Sequence, residues 1–209
     1  MLANTITFHF RSFKTLLKSQ SSIKVPERMF FTAKFFNFQE SKTEMCLLRL
    51  PYDQAKTLEQ QRNVQGGTQE LLQDSSYTLM RYNNVAVGSL HNLSDLEKDY
   101  KTLKDDIKLS YDFDPTILST VGHDQAHQHA LFCKFLDSRA LTIDVWNGDN
   151  LMHFGSCKVP LYLLMRQNQP RSMRTEEFEV YESENAERVG KLHLSLENIG
   201  REIKMSKNA

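Results

Sequence analysis

Long hydrophobic runs are missing from this sequence: no stretch approaches the ~20 apolar residues that a membrane-spanning helix needs. A charge imbalance is missing too. Lys and Arg number 26 and Asp and Glu number 26, so the formal net charge is zero. That leaves no electrostatic footprint for nucleic acid and no general attraction to an anionic membrane. Cysteine is scarce. The three thiols, Cys46, Cys133 and Cys157, are odd in number and lack paired spacing. A disulfide framework is thereby excluded, and buried free thiols in a reducing compartment are expected. Glycine and proline are too sparse for a low-complexity chain. Catalytic signatures are also absent: there is no G-x-S-x-G elbow, no phosphate-binding glycine loop, no H-E-x-x-H and no C-x-x-C. Glu176 and Glu177 alternate as solvated residues do. The expectation is a protein that is not an enzyme and holds no cofactor.

Alternation is what the sequence has in plenty. In residues 141–146, Leu141, Ile143 and Val145 alternate with Thr142, Asp144 and Trp146, the pattern of a strand with one aliphatic face. Asn147-Gly148 tolerates positive φ and suits a tight turn. Residues 156–159 form a second short apolar strand opened by Gly155, and Pro160 stops ladder pairing ahead of a short helix over 161–166. Residues 191–197 place Leu192, Leu194 and Leu196 on one side and Lys191, His193, Ser195 and Glu197 on the other. Further strands are read at 44–50, 77–82, 130–136 and 177–181, the third with Leu131, Cys133 and Phe135 on one face. The phenylalanine-rich run 30–38 puts Phe31, Ala33 and Phe35 on one side and Phe30, Thr32, Phe36 and Phe38 mainly on the other. Its outer aromatics are covered by an insertion or meet a partner.

Other stretches depart from this period. Residues 52–76 are polar and Gln-rich and read as a long loop. Leu93, Leu96, Tyr100, Leu103 and Ile107 are spaced 3, 4, 3, 4, and Ser94 with Glu97 makes a capping box, so a helix is expected over about 95–109. Residues 1–24 carry Arg11, Lys14, Lys18 and Lys24 and no acid before Glu27. That is the composition of a mitochondrial targeting segment, yet Ile6, Phe8 and Phe10 alternate with Thr7, His9 and Arg11 as in a strand. The segment is taken as an N-terminal arm or edge strand, with the domain at 25–200 and a flexible tail at 201–209. The polar loop and the helix fall within 51–122.

Two groups invite a site reading. His123, His127 and His129 form H-x₃-H-x-H, but with His129 opening a strand the helical spacing fails, and no metal site is expected. Arg166, Arg171 and Arg174 gather in a polar loop over 168–174 as the one basic patch, suited to phospholipid headgroups, to an acidic partner, or simply to water.

The string IDVWNGDNLMHFGSCKVPLYLLMRQNQP resembles the late strands of a C2 domain, and the nephrocystin-4 family in particular. MFFTAKFFNFQ at 29–39 and EEFEV … GKLHLSLENIG at 176–200 are similar to that family in the same order; 51–122 has no match. The resemblance implies a C2-like fold, and with the strands and helix read above the expected architecture is an all-β, C2-like antiparallel β-sandwich of about eight strands with an inserted amphipathic helix. It further implies a scaffold of the ciliary transition zone and basal body, with a part in ciliary assembly and gating. The partners it implies are other transition-zone proteins, nephrocystin-1 and the retinitis pigmentosa GTPase regulator-interacting proteins. Calcium-binding C2 domains need aspartates from two loops. Here the loop after Trp146 offers only Asn147 and Asp149, so no calcium site is expected and Asp149 is read as a cap of its turn. The alternative function is a calcium-independent phospholipid-binding C2 module with weak peripheral membrane contact through Arg166, Arg171 and Arg174.

Overall fold

The strand β1 (Leu2–Thr15) buries Ile6, Phe8, Phe10 and Phe13 in the core, and the whole sheet is built on both of its edges. Along one edge it pairs antiparallel with β10 (Arg188–Glu202), from Leu2 opposite Glu202 to Thr15 opposite Gly190. Along the other it pairs first with β6 (Ile107–Phe113) and, beyond a bulge between Phe10 and Ser12, with β5 (Ser76–Arg81). The computed structural model describes residues 2–16, 25–49, 76–81, 107–115 and 125–202. Its remaining elements are β2 (Arg28–Ala33), β3 (Ser41–Lys42), β4 (Cys46–Arg49), α1 (Gln125–Ser138), β7 (Ala140–Asn147), β8 (His153–Pro160), a 3-10 turn at Leu161–Leu164, and β9 (Arg171–Tyr181).

The ladder runs β10-β9-β8-β7-β2-β4-β5-β1-β6 with β3 on β2, and it returns on itself because β10 also pairs β1. Every pairing is antiparallel. The result is a flattened, nearly closed sandwich. Its two layers meet through aromatic contacts: Phe10 of β1 stacks on Phe31 of β2 at 4.4 Å, and Phe13 meets Phe154 of β8 edge-on at 6.0 Å. Each buried ring is worth roughly 1.5–3 kcal/mol by area alone. The β8–β9 corner is the weakest seam, with only Ser156 opposite Tyr181. The chains come so close there that a Cβ on Gly155 would sit 2.7 Å from the Tyr181 carbonyl oxygen, so glycine is a steric requirement.

The expected inward sets at 141–146 and 191–197 are buried in the structure. Other expectations are corrected. The first segment is not an edge: β1 is flanked by β10 on one side and by β6 and β5 on the other. The chain is not a frayed tail at 201 either, since Arg201 pairs Ala3 and Glu202 pairs Leu2. The expected loop over 52–76 and most of the expected helix over 95–109 lie outside the described residues. Where that helix was to end, Ile107–Phe113 is a strand with alternating burial. Ile107 ends the helical stripe, but with Leu109, Tyr111 and Phe113 it also starts a period of two. The phenylalanine run stops being a strand at Ala33. Phe30 keeps its outer position beneath Trp146 and Lys42. Phe36, in the left-handed region at φ 49°, turns with Phe38 toward the core side instead.

The largest departure is 125–138, a helix where 130–136 was read as a strand. Phe132, Phe135 and Leu136 recur at i, i+3 and i+4, and that stripe overrides the alternation of Leu131, Cys133 and Phe135. Phe132 stacks on Phe113 at 3.9 Å and meets Phe35 and Phe36 edge-on, while Phe135 packs on the same pair. The helix therefore plugs one end of the sandwich. Leu131, 41% exposed, faces away. We expect Phe132→Ala to lower unfolding stability by about 3–5 kcal/mol. Leu131→Ala should change it by no more than about 0.5 kcal/mol. Urea titration of both variants gives the ranking, and a larger effect at Leu131 would be inconsistent with the helix.

Candidate functional site

The loop joining β7 to β8 carries the one acid that the sequence offered toward calcium, Asp149. Its turn is organised by Asn147, whose Oδ1 accepts the backbone N–H of Asp149 at 2.8 Å and that of Asn150 at 3.4 Å. The left-handed residue is Leu151, at φ 61°, not Asn147 or Gly148. The Asn147 side chain does the capping, which removes the need for positive φ at the first two turn positions. The Asp149 carboxylate does not cap its own turn. It reaches across to the start of β2, accepting from the Glu27 N–H at 2.8 Å and from Arg28 Nε at 2.7 Å. Partial burial would raise the Asp149 pKa, but the Arg28 guanidinium and the backbone N–H groups outweigh it and hold the carboxyl below its ordinary value. Both oxygens are thus committed to a strap between the β7–β8 loop and β2.

Asp149 binds Arg28 only when ionised. Because its folded-state pKa is depressed, its stabilisation is present above its ordinary value of 3.8 and is lost as pH falls through the lowered value. Asp149→Asn should therefore cost about 1 kcal/mol near pH 7, modest because the pair is partly exposed. The deficit should close in acid. Urea titrations of both proteins at stepped pH read this out, and a deficit that persists in acid would assign the effect to packing instead. Calcium should leave both melting temperatures unchanged.

The three arginines do converge: Arg166, Arg171 and Arg174 line one surface depression of about 290 Å³ with Met165, Gln167, Gln169, Ser172 and Met173. The segment is not a loop throughout, since β9 begins at Arg171. Two of the three have internal partners. Arg171 donates to Glu197 of β10, whose other oxygen lies 3.4 Å from His9 Nε2. Arg166 is turned back by two consecutive left-handed residues, Gln167 at φ 45° and Asn168 at φ 69°. Its Nε donates to Asn4 Oδ1 at 3.1 Å and one terminal nitrogen to the Gln169 carbonyl at 3.0 Å. The guanidinium lies over Gly200, where a Cβ would meet it at 2.1 Å. Arg174 is exposed.

The same Arg166 forms a wall of a larger groove, about 1010 Å³, between α1 and the paired ends of β1 and β10. Its lining includes His129, Phe132, Cys133 and Leu136 of α1, Met165 and Pro170, and Asn4, Asn198 and Gly200. His129 and Cys133 lie one turn apart with Sγ 3.7 Å from Nδ1. Burial, and then Arg166, keep the His129 imidazole below its ordinary pKa. Burial raises the Cys133 thiol, with Arg166 opposing. Cys46 and Cys157 are buried free thiols, and burial beside Asp144 pushes Cys157 up to about 12. His127 is two residues from His129, a spacing at which helical side chains do not face each other. His123 lies outside the described residues. No group of three metal-ligating side chains comes together among the described residues.

The strand reading of 130–136 hid this groove: on a strand His129 and Cys133 share a face but stand roughly 13 Å apart, and only a helix brings them one turn apart and into contact. Asn198 was legible: it continues the inward parity of Leu192, Leu194 and Leu196, so it places an amide where the row asks for an aliphatic residue.

Comparison with known proteins follows the same outline. The family model of the nephrocystin-4 C2 third domain matches residues 1–193. Human nephrocystin-4 is 35% identical over 92 aligned positions, which cover 33% of this chain and 6% of that protein. Nephrocystin-4 of Xenopus laevis is 24% identical over 226 aligned positions, covering 96% of this chain and 13% of its own length. The chain spans about an eighth of that longer relative. With its antiparallel sandwich and a match that starts at β1 and runs into β10, the chain belongs to the nephrocystin-4 C2 third-domain family.

Proposed function

We propose that this chain is a non-enzymatic scaffold module, acting through protein–protein contacts at the ciliary transition zone and basal body in cilium assembly and gating. Its partners in this reading are nephrocystin-1 and the retinitis pigmentosa GTPase regulator-interacting proteins. The observation that carries the reading is the family match over 1–193. The strap made by Asp149 supports it, because that carboxylate holds β2 where a calcium-dependent C2 domain would hold an ion. A tagged copy of the chain should gather at the base of the cilium in ciliated cells and co-precipitate nephrocystin-1. Diffuse signal without co-precipitation would count against docking by this domain, and mitochondrial signal would make residues 1–24 a targeting segment.

The phospholipid reading has one observation in its favour, the convergence of three arginines on a single depression. Against it, Arg166 and Arg171 already have acceptors within the fold. Arg174→Glu is the cleaner probe, since Arg171→Glu would set an acid against the buried Glu197. We expect no salt-sensitive pelleting with phosphatidylserine vesicles. Pelleting that Arg174→Glu abolishes would favour the lipid module.

A further inference from the structure

We propose that the groove between α1 and the paired ends of β1 and β10 binds an extended peptide segment of a partner protein, one that carries a carboxylate among apolar residues. This rests on the reading that the chain works through protein contacts, and adds the place and the chemistry. The groove is open and mainly apolar, walled by Phe132 and Leu136 on one side and Met165 on the other. It is long enough in volume for several residues of extended chain.

Charge selects among occupants. No Asp or Glu is among the described lining residues. Arg166 is the cation, and it is held in place: its Nε and one terminal nitrogen are bonded to Asn4 and Gln169, and Gly200 leaves room for the guanidinium plane. The second terminal nitrogen makes no hydrogen bond to the described residues, and Arg166 itself lines the groove. A guanidinium fixed on its stem and short of one acceptor suits a carboxylate, and fixing it beforehand lowers the entropy lost on binding. His129 adds no competing positive charge near neutrality, for the reasons given above.

A second observation separates a peptide from a fatty acid or another hydrocarbon carboxylate. Asn198 is 2% exposed and lines the groove, and its Nδ2 donates to the Leu164 carbonyl at 2.9 Å. Its Oδ1 is buried without a hydrogen-bond partner. A buried acceptor left unsatisfied is costly and asks for an N–H or O–H donor. An extended peptide carries backbone N–H donors that a turn of the Asn198 side chain toward the groove would bring to this oxygen, and an alkyl chain carries none.

Cys133 reports on occupancy. It is the half-buried thiol, whereas Cys46 and Cys157 are buried. The probe is a random 12-residue peptide library displayed on phage and selected on the purified full chain. Recovered peptides are then synthesised, measured by fluorescence anisotropy, and tested for protection of Cys133 against N-ethylmaleimide. We expect the recovered peptides to share an Asp or Glu between apolar residues, and saturating peptide to slow Cys133 labelling at least fivefold. Exchange of the acid for its amide, Arg166→Gln, and Cys133→Phe should each weaken binding at least tenfold. Cys133→Phe narrows the groove from α1 without touching the Arg166 bonds, so it separates groove binding from misfolding at Arg166. The proposal is overturned if no acidic–apolar pattern emerges, or if binding survives both variants. It is equally overturned if phosphatidylserine vesicles protect Cys133 where the peptides do not, or if Cys133 is already unreactive in the free chain because a segment of the chain itself fills the groove. Ciliary-base signal that persists in Cys133→Phe would count against the groove and leave the scaffold reading in place. Loss of that signal in the wild-type chain would do the reverse.

Discussion

The pairing of β1 with β10 is the constraint on which the rest of the structure depends. These strands come from opposite ends of the described chain and run antiparallel from Leu2 and Glu202 to Thr15 and Gly190. Their inward residues, Ile6, Phe8, Phe10 and Phe13 with Leu192, Leu194 and Leu196, form one wall of the core. β6 and β5 hang on the free edge of β1, β9 on the free edge of β10, and the return of β10 to β1 closes the ring. Contacts this distant in sequence incur loop-closure entropy before they stabilise anything. The long register offsets that, as does the apolar area buried behind it.

The outer face of that same pair is polar yet largely covered. Thr7 shares a hydrogen bond with Ser110 of β6, and Arg11 donates to Ser195, which meets Thr175 of β9. His9, Glu197 and Arg171 form a chain across β1, β10 and β9. Cross-strand pairs of this kind each contribute a fraction of a kcal/mol and pin the register. They also explain why a patch of arginines, read as surface charge, is partly structural: Arg171 neutralises a carboxylate that is only 11% exposed. The aromatic plug beneath α1 acts in the same sense. Phe36 holds an unfavourable positive φ that ring packing against Phe113, Phe132 and Phe135 offsets.

Legibility followed the distance over which a residue's role is decided. Leu141, Ile143 and Val145, and the row from Leu192 to Leu196, announce their buried face within six residues, because strand geometry forces alternate side chains to opposite sides. The Asp149 carboxylate was legible as structural but not in its partner, since Arg28 is over a hundred positions away. The 130–136 segment failed because Leu131, Cys133 and Phe135 satisfy a period of two, while Phe132, Phe135 and Leu136 satisfy one of 3.6. Local pattern could not choose between them. The groove was hidden by that same ambiguity, and with it His129 and Cys133.

By itself the sequence determined the class of fold, the inward face of most strands, the absence of catalytic motifs, and the family to which the chain is similar. Alternation and composition are local properties, and a long specific string needs no coordinates to be matched. Only the tertiary structure decided that β1 is interior, that the ring closes through β10, that α1 is a helix, and which arginines are free. Each of those depends on which distant surface a residue meets. The docking of Phe132 onto Phe113 selects helix over strand, and the Glu197 carboxylate selects the pose of Arg171, because burial against a specific neighbour outweighs the small local preferences that a sequence pattern can display.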